Sequence, residues 1–475
     1  MLGLFGTLNL ATRSLATQRG GTEVAGHNLA NVSNPAYARQ RMRIETSVTM
    51  LSELGPQGTG ADGISIEQLR NNLLDDQIVG EASVLGSLTA QQRALQYAQA
   101  NLGQRLDRQA SGTEGAAAAT GIGGAQGIAE SLTGLFASFQ SLSTNPTSLT
   151  ERQDVMMKAQ GVAIQFNQAS ERLGQVDAML NRSLTAEVDQ VNAAIRDIAA
   201  LNLQILGVEG SGGVANDLRD ARQSRLEDLG KLASFTVTES TRGSLNITVG
   251  GVAMNAGGNV VEQLEAYDPG NGQLLLRGQT SGSPVNLSGG SLQGTIEARD
   301  GEVARLRTHI DTIASELIGR VNAIHSAGYA LDGSTGEDLF TGTDAASIGV
   351  NSLLLDQPGR VQASGVAGAV GDNQVALSLA RLSEEAQAGL GGQTFGESYN
   401  QAVTRLGSAL SSVNGQIDNQ AIVDDMLRAQ RDSVSGVSLD EEMTDLIRFQ
   451  RAFQASARLV STVDEMLEIV VAMKR

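Results

Sequence analysis

The chain has 475 residues, of which 41% are hydrophobic, so it is long enough for roughly two to four domains with their own cores. Its 34 basic residues against 52 acidic ones give a net charge of −18, which argues against a nucleic-acid partner because no local basic stripe offsets it. Cysteine is absent, which excludes disulfides, thiolate nucleophiles and cysteine-ligated metals, and favours a place outside the cytosol.

The N-terminal segment predicts an amphipathic helix followed by a turn. Apolar residues recur at heptad positions, interrupted by Gln18 and Thr22: Leu4, Leu8, Ala11, Leu15, Ala25, Leu29 and Val32. Pro35 disfavours helix at Asn34, so "SNPAY" predicts a turn that leads into an extended segment, with Tyr37 packed beside it.

No targeting or membrane segment is expected. The first residues are too polar for the core of a signal peptide. No apolar run approaches the ~18 residues that a membrane-spanning helix needs. If the chain is exported, we therefore expect a route other than a cleaved leader.

Three further helices are predicted in the middle of the chain. Leu88, Leu95 and Leu102, with Leu85 and Leu106, indicate a helix antiparallel to the one that follows. That second helix, from about Thr150 to Leu206, would be ~85 Å long, and its stripe steps by three and four residues. The stripe consists of Val162, Phe166, Ala169, Leu173, Val176, Leu180, Leu184, Val188, Val191, Ile195 and Ile198. Three successive steps of four near Leu180 predict a stutter. The third helix fits 301–328.

Residues from Phe235 to Leu287 predict a small β domain inserted between helices. Stretches such as "FTVTES" and "LNITVGG" alternate with a period of two and are separated by turn sequences such as "DPGNG".

The C-terminus predicts a long helix that runs to the end of the chain. Ser438 is the expected N-cap, with acids in the first turn. Leu439, Leu446, Phe453, Val460 and Leu467 recur every seven residues, and Met443, Ala457 and Val471 occupy companion positions. A second apolar set indicates more than one neighbour: Ile447, Phe449, Leu459, Val463, Met466 and Val470.

Both chain ends resemble the bacterial flagellar axial proteins. "NLANVSNPAYARQR" (28–41) resembles the family signature Asn-x-Ala-Asn-x-x-Thr-Pro-Gly-Tyr, with Asn34 and Ala36 in place of Thr and Gly. "SGVSLDEEMTDLIRFQRAFQASARLVSTVDEML" resembles the C-terminal hallmark of that family. Internal stretches, "GSLQGTIEARD", "VNAIHSAGYALDGSTGEDLF" and "GDNQVALSLARL", are similar to its hook-associated members rather than to its hook or rod proteins.

The resemblance implies a structural adapter that joins hook to filament at the flagellar junction. It implies export by the flagellar type III apparatus, a ring of identical subunits, and contacts with the hook protein, a second junction protein and the flagellin side of the filament. The expected axial contacts are Leu4, Leu8, Leu15, Leu29, Val32, Pro35, Tyr37, Leu439, Met443, Leu446, Phe453, Val460 and Leu467. An export chaperone, FlgN in this family, is expected to cover Leu439, Leu446, Phe453 and Val460.

Catalytic and cofactor sites are weakly supported. "GTGADG" (58–63) fits a dinucleotide motif, but the alternating "ISIEQL" after it predicts a strand where a helix is required. "DGSTGEDLF" has Glu337 where a calcium loop needs glycine, so a turn is expected. His27, His309 and His325 lack metal-ligand spacing, and Glu441 and Glu442 are interpreted as first-turn charges. We expect no enzyme, metal or cofactor.

The predicted fold is mainly α, a multidomain α+β chain with long helices, a coiled-coil-like rod formed by both ends and a small inserted β domain. The expected units are 1–60 with 410–475, 61–234 with 299–409, and 235–298. The alternative is a secreted enzyme or glycan-binding protein carried on flagellar-type termini. Only the β insert could host that activity, and Phe235 and Tyr267 are its only aromatic residues before Leu287.

Overall fold

A computed structural model describes residues 3–52, 55–101, 127–240 and 242–473. The helices are α1 (Leu4–Ala30), α2 (Asn72–Asn101), α3 (Ile128–Thr144), α4 (Leu149–Gly210), α5 (Asn216–Leu232), α6 (Gly290–Ala298), α7 (Ala304–His325), α8 (Ser352–Asp356), α9 (Gln374–Arg381), α10 (Phe395–Ser435) and α11 (Leu439–Ala472). The strands are β1 (Gln40–Thr46), β2 (Thr49–Ser52), β3 (Gly55–Gly58), β4 (Ala61–Gln68), β5 (Phe235–Glu239), β6 (Leu245–Val249), β7 (Val252–Ala253), β8 (Asn255–Ala256), β9 (Asn259–Val260), β10 (Leu264–Tyr267), β11 (Leu275–Gly278), β12 (Phe340–Thr341) and β13 (Gly349–Val350).

The long helix α4 is the central element of the fold, and its prediction is confirmed. It begins after Ser148, whose hydroxyl accepts the Glu151 N–H, and it spans 62 residues, about 93 Å at 1.5 Å per residue. The whole predicted stripe is buried except for Ala169, which is half-buried. By length and composition this helix could cross a membrane, contrary to expectation, but its stripe packs inside the protein.

Two hydrophobic cores lie along α4, and the predicted stutter falls between them. Residues up to Leu180 belong to a helical core with α3, α7, α9 and the first half of α10. Residues from Leu184 onward belong to a second core with α5 and strands β5 to β11. Because the steps of four rotate the stripe gradually around the helix, a single helix presents its apolar face to two different sets of partners.

The predicted β segment is confirmed as a set of small antiparallel sheets packed on α4. Strands β5, β6 and β7 form one sheet, and β8–β9 and β10–β11 form ribbons. Two asparagine side chains of α4 form hydrogen bonds with the backbones of the strands. Asn192 accepts from the N–H of Leu264 (2.8 Å) and donates to its C=O (2.9 Å). Asn202 bonds the same two groups of Leu245. The β core is therefore closed by the helix rather than by a second sheet.

The remaining middle helices differ partly from the prediction. The helix around Leu85, Leu88 and Leu95 is α2, but it packs mainly on α6 and α10 rather than on α4; Leu102 and Leu106 lie outside the described residues. The helix expected over 301–328 is α7, preceded by a π-helical turn at Arg299–Val303. Helices α3, α5, α6, α8, α9 and α10 were not predicted.

The N-terminal prediction of helix, turn and extended segment is confirmed. Helix α1 ends at Ala30, and β1 begins at Gln40 and pairs antiparallel with β4. Strands β2 and β3 form a second ribbon. At the other end of the chain, α10 stops at Ser435, and α11 starts after Ser438 at the expected position, although the Ser438 side chain makes no capping bond.

Candidate functional site

The two ends of the chain pair with each other as antiparallel helices. Contacts between α1 and α11 recur at matched heptad steps: Ser14 bonds Ser456 (2.9 Å between hydroxyl oxygens), and Asn28 donates to Glu442 (3.0 Å). Between these two levels, Gly21 lies against the Phe449 ring. A seven-residue step forward on α1 therefore matches a seven-residue step backward on α11, as in an antiparallel coiled coil.

The centre of this seam is small and polar. On α1, Ser14, Gly21 and Asn28 contact α11, and the buried apolar residues are Ala11, Val24 and Ala25 rather than the leucines of the heptad pattern. On α11, the apolar residues in or beside the seam come from the second predicted set: Phe449, and Val463, which is 2% exposed.

The predicted contact residues lie around the seam. Leu4, Leu8, Leu15, Leu29, Val32, Leu446, Val460 and Leu467 are half-buried. Leu439, Met443 and Phe453 are exposed by 53, 45 and 38%. Pro35 is exposed and Tyr37 is buried. Other large apolar side chains of the two helices also face outward: Phe5, Ile447, Leu459, Met466, Ile469, Val470, Val471 and Met473. Within the described residues, the paired helices thus leave these large apolar side chains exposed on their outer side.

The signature turn follows α1 and is held by its own side chains. The Asn34 carboxamide oxygen accepts the Ala36 N–H (3.1 Å), which forms an Asx turn around Pro35. The Asn31 side chain donates to the carbonyl of His27 (3.0 Å) at the end of α1. The residues that replace the family's usual Thr and Gly therefore still form a compact turn.

Asn28 is the centre of the polar network at this turn. Its side-chain oxygen accepts the Tyr37 hydroxyl (2.7 Å) and the Gln40 N–H (3.0 Å), while its amide donates to the Gln40 carbonyl (2.8 Å) and to Glu442. Burial, followed by the charges of nearby carboxylates, raises the pKa of Tyr37, so its hydroxyl remains a donor. Asn28 is 1% exposed, and every one of these bonds orders the turn.

Arg39 connects the turn to the start of α11. Its guanidinium donates to Glu442 (2.7 Å) and Glu441 (2.6 Å), and its backbone N–H donates to the Ser435 carbonyl (2.8 Å) at the end of α10. Glu442 is 2% exposed, so it is a buried, paired charge rather than only a first-turn acid. Residue spacing gave no signal for this pairing, because Arg39 and Glu442 are far apart in sequence.

Helices α5 and α10 also contact the signature turn. Asp220 accepts the Ala38 N–H (3.2 Å) and faces Arg70 (3.3 Å), and burial raises the pKa of Asp220 to about 6 although Arg70 opposes the shift. Arg431 of α10 donates to the Pro35 carbonyl (3.2 Å) and pairs with Glu227 of α5 (2.9 Å). Helices α1, α5, α10 and α11 thus meet at the signature turn.

The weaker motifs of the sequence take structural roles. Strand β4 begins within "GTGADG" at Ala61 and contains the alternating segment after it, as expected. Asp332 closes a turn by accepting from Ser334 (2.9 Å from its N–H). The two nitrogens of buried His325 bond the Glu337 carbonyl (2.7 Å) and the Gln362 N–H (3.0 Å). Across the described ranges, no group of three or more His, Cys, Asp or Glu side chains is placed to hold a metal.

The aromatic residues of the β segment do not form an open platform for sugars. Phe235 packs against the second core, and the Arg277 guanidinium lies 4.3 Å over the Tyr267 ring. This arrangement gives no support to the alternative of a glycan-binding insert.

Comparison with known proteins agrees with the geometry of the chain ends. The family model described as "Flagellar hook-associated protein FlgK helical domain" matches residues 120–340, and "Flagellar basal body rod FlgEFG protein C-terminal" matches 428–473. The second of these matches covers helix α11, the C-terminal member of the helix pair.

Full-length relatives are similar over nearly the whole chain. Flagellar hook-associated protein 1 of Bacillus subtilis is 28% identical over 99% of this chain and 98% of that protein. Its counterpart in Escherichia coli is 22% identical over 98% and 99%. Over nearly its whole length the chain is therefore similar to flagellar hook-associated protein 1, FlgK.

A solved structure supports the fold. The flagellar hook junction protein FlgK from Burkholderia pseudomallei matches with a TM-score of 0.62 and 15% identity, covering 76% of this chain and 100% of that one. The mainly helical architecture with a small β part is therefore confirmed.

Proposed function

We propose that this protein is the adapter that joins the flagellar hook to the filament, and that it assembles into a ring of identical subunits through α1 and α11. The observation that carries the proposal is the apolar outer surface of the paired helices. Leu439, Met443, Phe453 and Ile469 are exposed although each is large and apolar. Contiguous exposed apolar surface on a folded chain marks a protein-interaction site.

The polar inner seam supports the same conclusion. If the leucine-rich rows were needed to hold α1 and α11 together, they would occupy the centre of the pair. Instead, small side chains and hydrogen bonds at Ser14 and Asn28 form that centre. The predicted rows are thereby left at the sides of the pair, where neighbouring subunits, the hook protein, a second junction protein and flagellin can contact them.

We propose three structural parts, each defined by its residue ranges. Residues 1–60 and 410–475 form the axial part, residues 61–234 with 299–409 form the elongated helical part, and residues 235–298 form the inserted β part. Helix α10 connects the axial and helical parts: its first half contributes Phe395 and Leu406 to the helical core, and Leu427 further along packs on Leu74 and Ile78 of α2.

Replacing Phe453 by aspartate tests the ring surface. Phe453 is 38% exposed, so assembly can still remove part of its area from water; burial of a whole side chain of this kind contributes about 1.5–3 kcal/mol. The carboxylate would lose that contribution and would be buried without a partner in every subunit. We expect Phe453→Asp to release the protein and unpolymerised flagellin into the medium, with unchanged thermal unfolding.

Gln454→Asp is the matched control, because it places the same charge on the neighbouring exposed residue of α11. Normal filaments with Phe453→Asp would contradict the proposed contact. A collapsed melting curve for that variant would instead assign Phe453 to an intramolecular core.

We further propose that the chain is exported by the flagellar type III apparatus and that the chaperone FlgN covers α11 before assembly. An amphipathic helix with exposed Leu439 and Phe453, and with Leu446 and Val460 beside them, suits binding in an apolar groove. Calorimetry should show that a chain ending at Val434 loses affinity for FlgN. Unchanged affinity would remove this part of the proposal.

A further inference from the structure

Glu442 lies where three parts of the chain meet. One carboxylate oxygen accepts from the Arg39 guanidinium (2.7 Å), and the other accepts from the Asn28 amide (3.0 Å). Both partners also hold the signature turn: Asn28 bonds the Tyr37 hydroxyl and the Gln40 backbone, and the Arg39 carbonyl accepts the Leu69 N–H (2.8 Å). The carboxylate is therefore fully bonded only when the turn is folded and α11 is docked at this level.

Two of the three levels of the seam would accept a different alignment. A shift of α11 by one heptad would place Val463 opposite Ser14 and Ser456 opposite Gly21, and both pairs are compatible in size. The seven extra residues would loop out between α10 and the shifted helix. Such a shift would move Phe449 from Gly21 to a position opposite Asn28. It would also cost the bonds of Glu442, because Arg39 and Asn28 would then lose their buried partner.

We infer that Glu442 is the positioning residue that sets the register of the α1–α11 pair and couples that register to the folded signature turn. A buried polar residue in an otherwise permissive helix pair is a well-supported means of fixing register, even where it adds little stability. The neighbouring Glu441 also contacts Arg39 (2.6 Å), but its side chain is 62% exposed and it lies outside the seam.

The register also decides which apolar residues of α1 and α11 lie side by side on the outer surface. A shift of one heptad moves α11 by about 10.5 Å, at 1.5 Å per residue. This consequence for assembly rests on the proposed function, whereas the role of Glu442 within a single chain does not.

Disulfide trapping in the purified full-length chain tests the inference directly. The native chain contains no cysteine, so each engineered pair is the only one present. Ser14→Cys with Ser456→Cys reports the observed register, since their hydroxyl oxygens are 2.9 Å apart. Ser14→Cys with Val463→Cys reports the shifted register and should not close in the native pair, because a heptad exceeds the reach of a disulfide, about 7 Å between Cα atoms.

We expect the first pair to cross-link in the otherwise unchanged chain and the second pair to remain reduced. With Glu442→Leu added, cross-linking of the first pair should slow by at least about tenfold, and the second pair should begin to close. Glu441→Leu, the matched control, should leave the native pattern in place.

Two outcomes would overturn the inference. If Glu442→Leu retains only the first cross-link, the register is set elsewhere, for instance by the Phe449 ring against Gly21. If neither pair closes, Glu442 holds the helices together without selecting their register. Because dilute single chains are measured, failure of the ring proposal would leave this result unaffected.

Discussion

The Phe449 ring of α11 packs directly on Gly21 of α1, and substitution of this glycine gives a sharp test of the pairing of the two helices. A Cβ atom built on Gly21 would lie 2.6–2.8 Å from three carbons of the Phe449 ring, well inside normal contact distance. Gly26, five residues further along α1, has no atom within 4 Å of the corresponding position. The two glycines therefore separate the clash from the general effect of adding a methyl group.

Two effects of opposite sign on the stability of α1 are expected from these substitutions. Glycine to alanine in a helix interior gains about 1 kcal/mol in helix propensity, so Gly26→Ala should stabilise α1. Gly21→Ala gains the same amount, but displacing the Phe449 ring should cost about 1–3 kcal/mol, as for other overpacked contacts. The difference between the two variants should therefore be about 1–3 kcal/mol.

Hydrogen exchange of the α1 amides measures this difference locally. Exchange through opening of the helix pair should be roughly 5- to 150-fold faster in Gly21→Ala than in Gly26→Ala, whereas the amides of α4 should be unaffected. Equal protection of α1 in the two variants would refute the pairing, because it would mean that no aromatic ring covers Gly21.

Three further predictions concern the folded body. Burial lowers the pKa of His325 to about 4. The free energy of unfolding should therefore be highest above pH 6.5 and should fall by at most about 3 kcal/mol as the pH drops toward 4. Thermal melting of His325→Gln should lack this loss. Burial raises the pKa of Asp220 to about 6. The contribution of this group to the free energy of unfolding is therefore greatest below about pH 4 and is lost as the pH rises through 6. Denaturant titrations should show that Asp220→Asn removes this loss. A Cβ on Gly294 would collide with the Ser87 carbonyl, so Gly294→Ala should lower the melting temperature, whereas Gly319→Ala, with open space around it, should raise it slightly.

The sequence predicted the longest elements that depend on repeated apolar side chains, although α3, which buries Leu132, Leu135 and Phe139 at helical spacing, was missed. The stripe of α4 identified both the helix and, through the spacing around Leu180, the point where its packing partners change. Helix α5 was missed because polar residues such as Asp220 and Arg222 make up much of its buried face. Helix α10 was missed although Tyr399, Leu406 and Val413 recur at helical spacing and Thr394 and Glu397 form a capping box at its start.

The sequence predicted that the candidate site lies at the two chain ends, but it did not predict which side chains form the contacts there. Apolar spacing placed both chain ends in a helical pair, yet the centre of that pair consists of Ser14, Gly21 and Asn28. A search for heptads assigns such residues to the outside of a helix. The partners of Arg39 and Glu442 depend on contacts between opposite ends of the chain, which spacing along one segment does not contain.

Direct binding to isolated hooks is the most decisive test of the proposed junction role. Hook–basal bodies from a strain of the same bacterium that lacks this protein would be incubated with the purified chain and examined by immunogold electron microscopy. We predict gold at the distal tip of the hook for the full-length protein and for Gln454→Asp, and bare tips for Phe453→Asp. Bare tips with the full-length protein, or equal labelling by Phe453→Asp, would contradict assembly at the hook through the apolar surface of the paired termini.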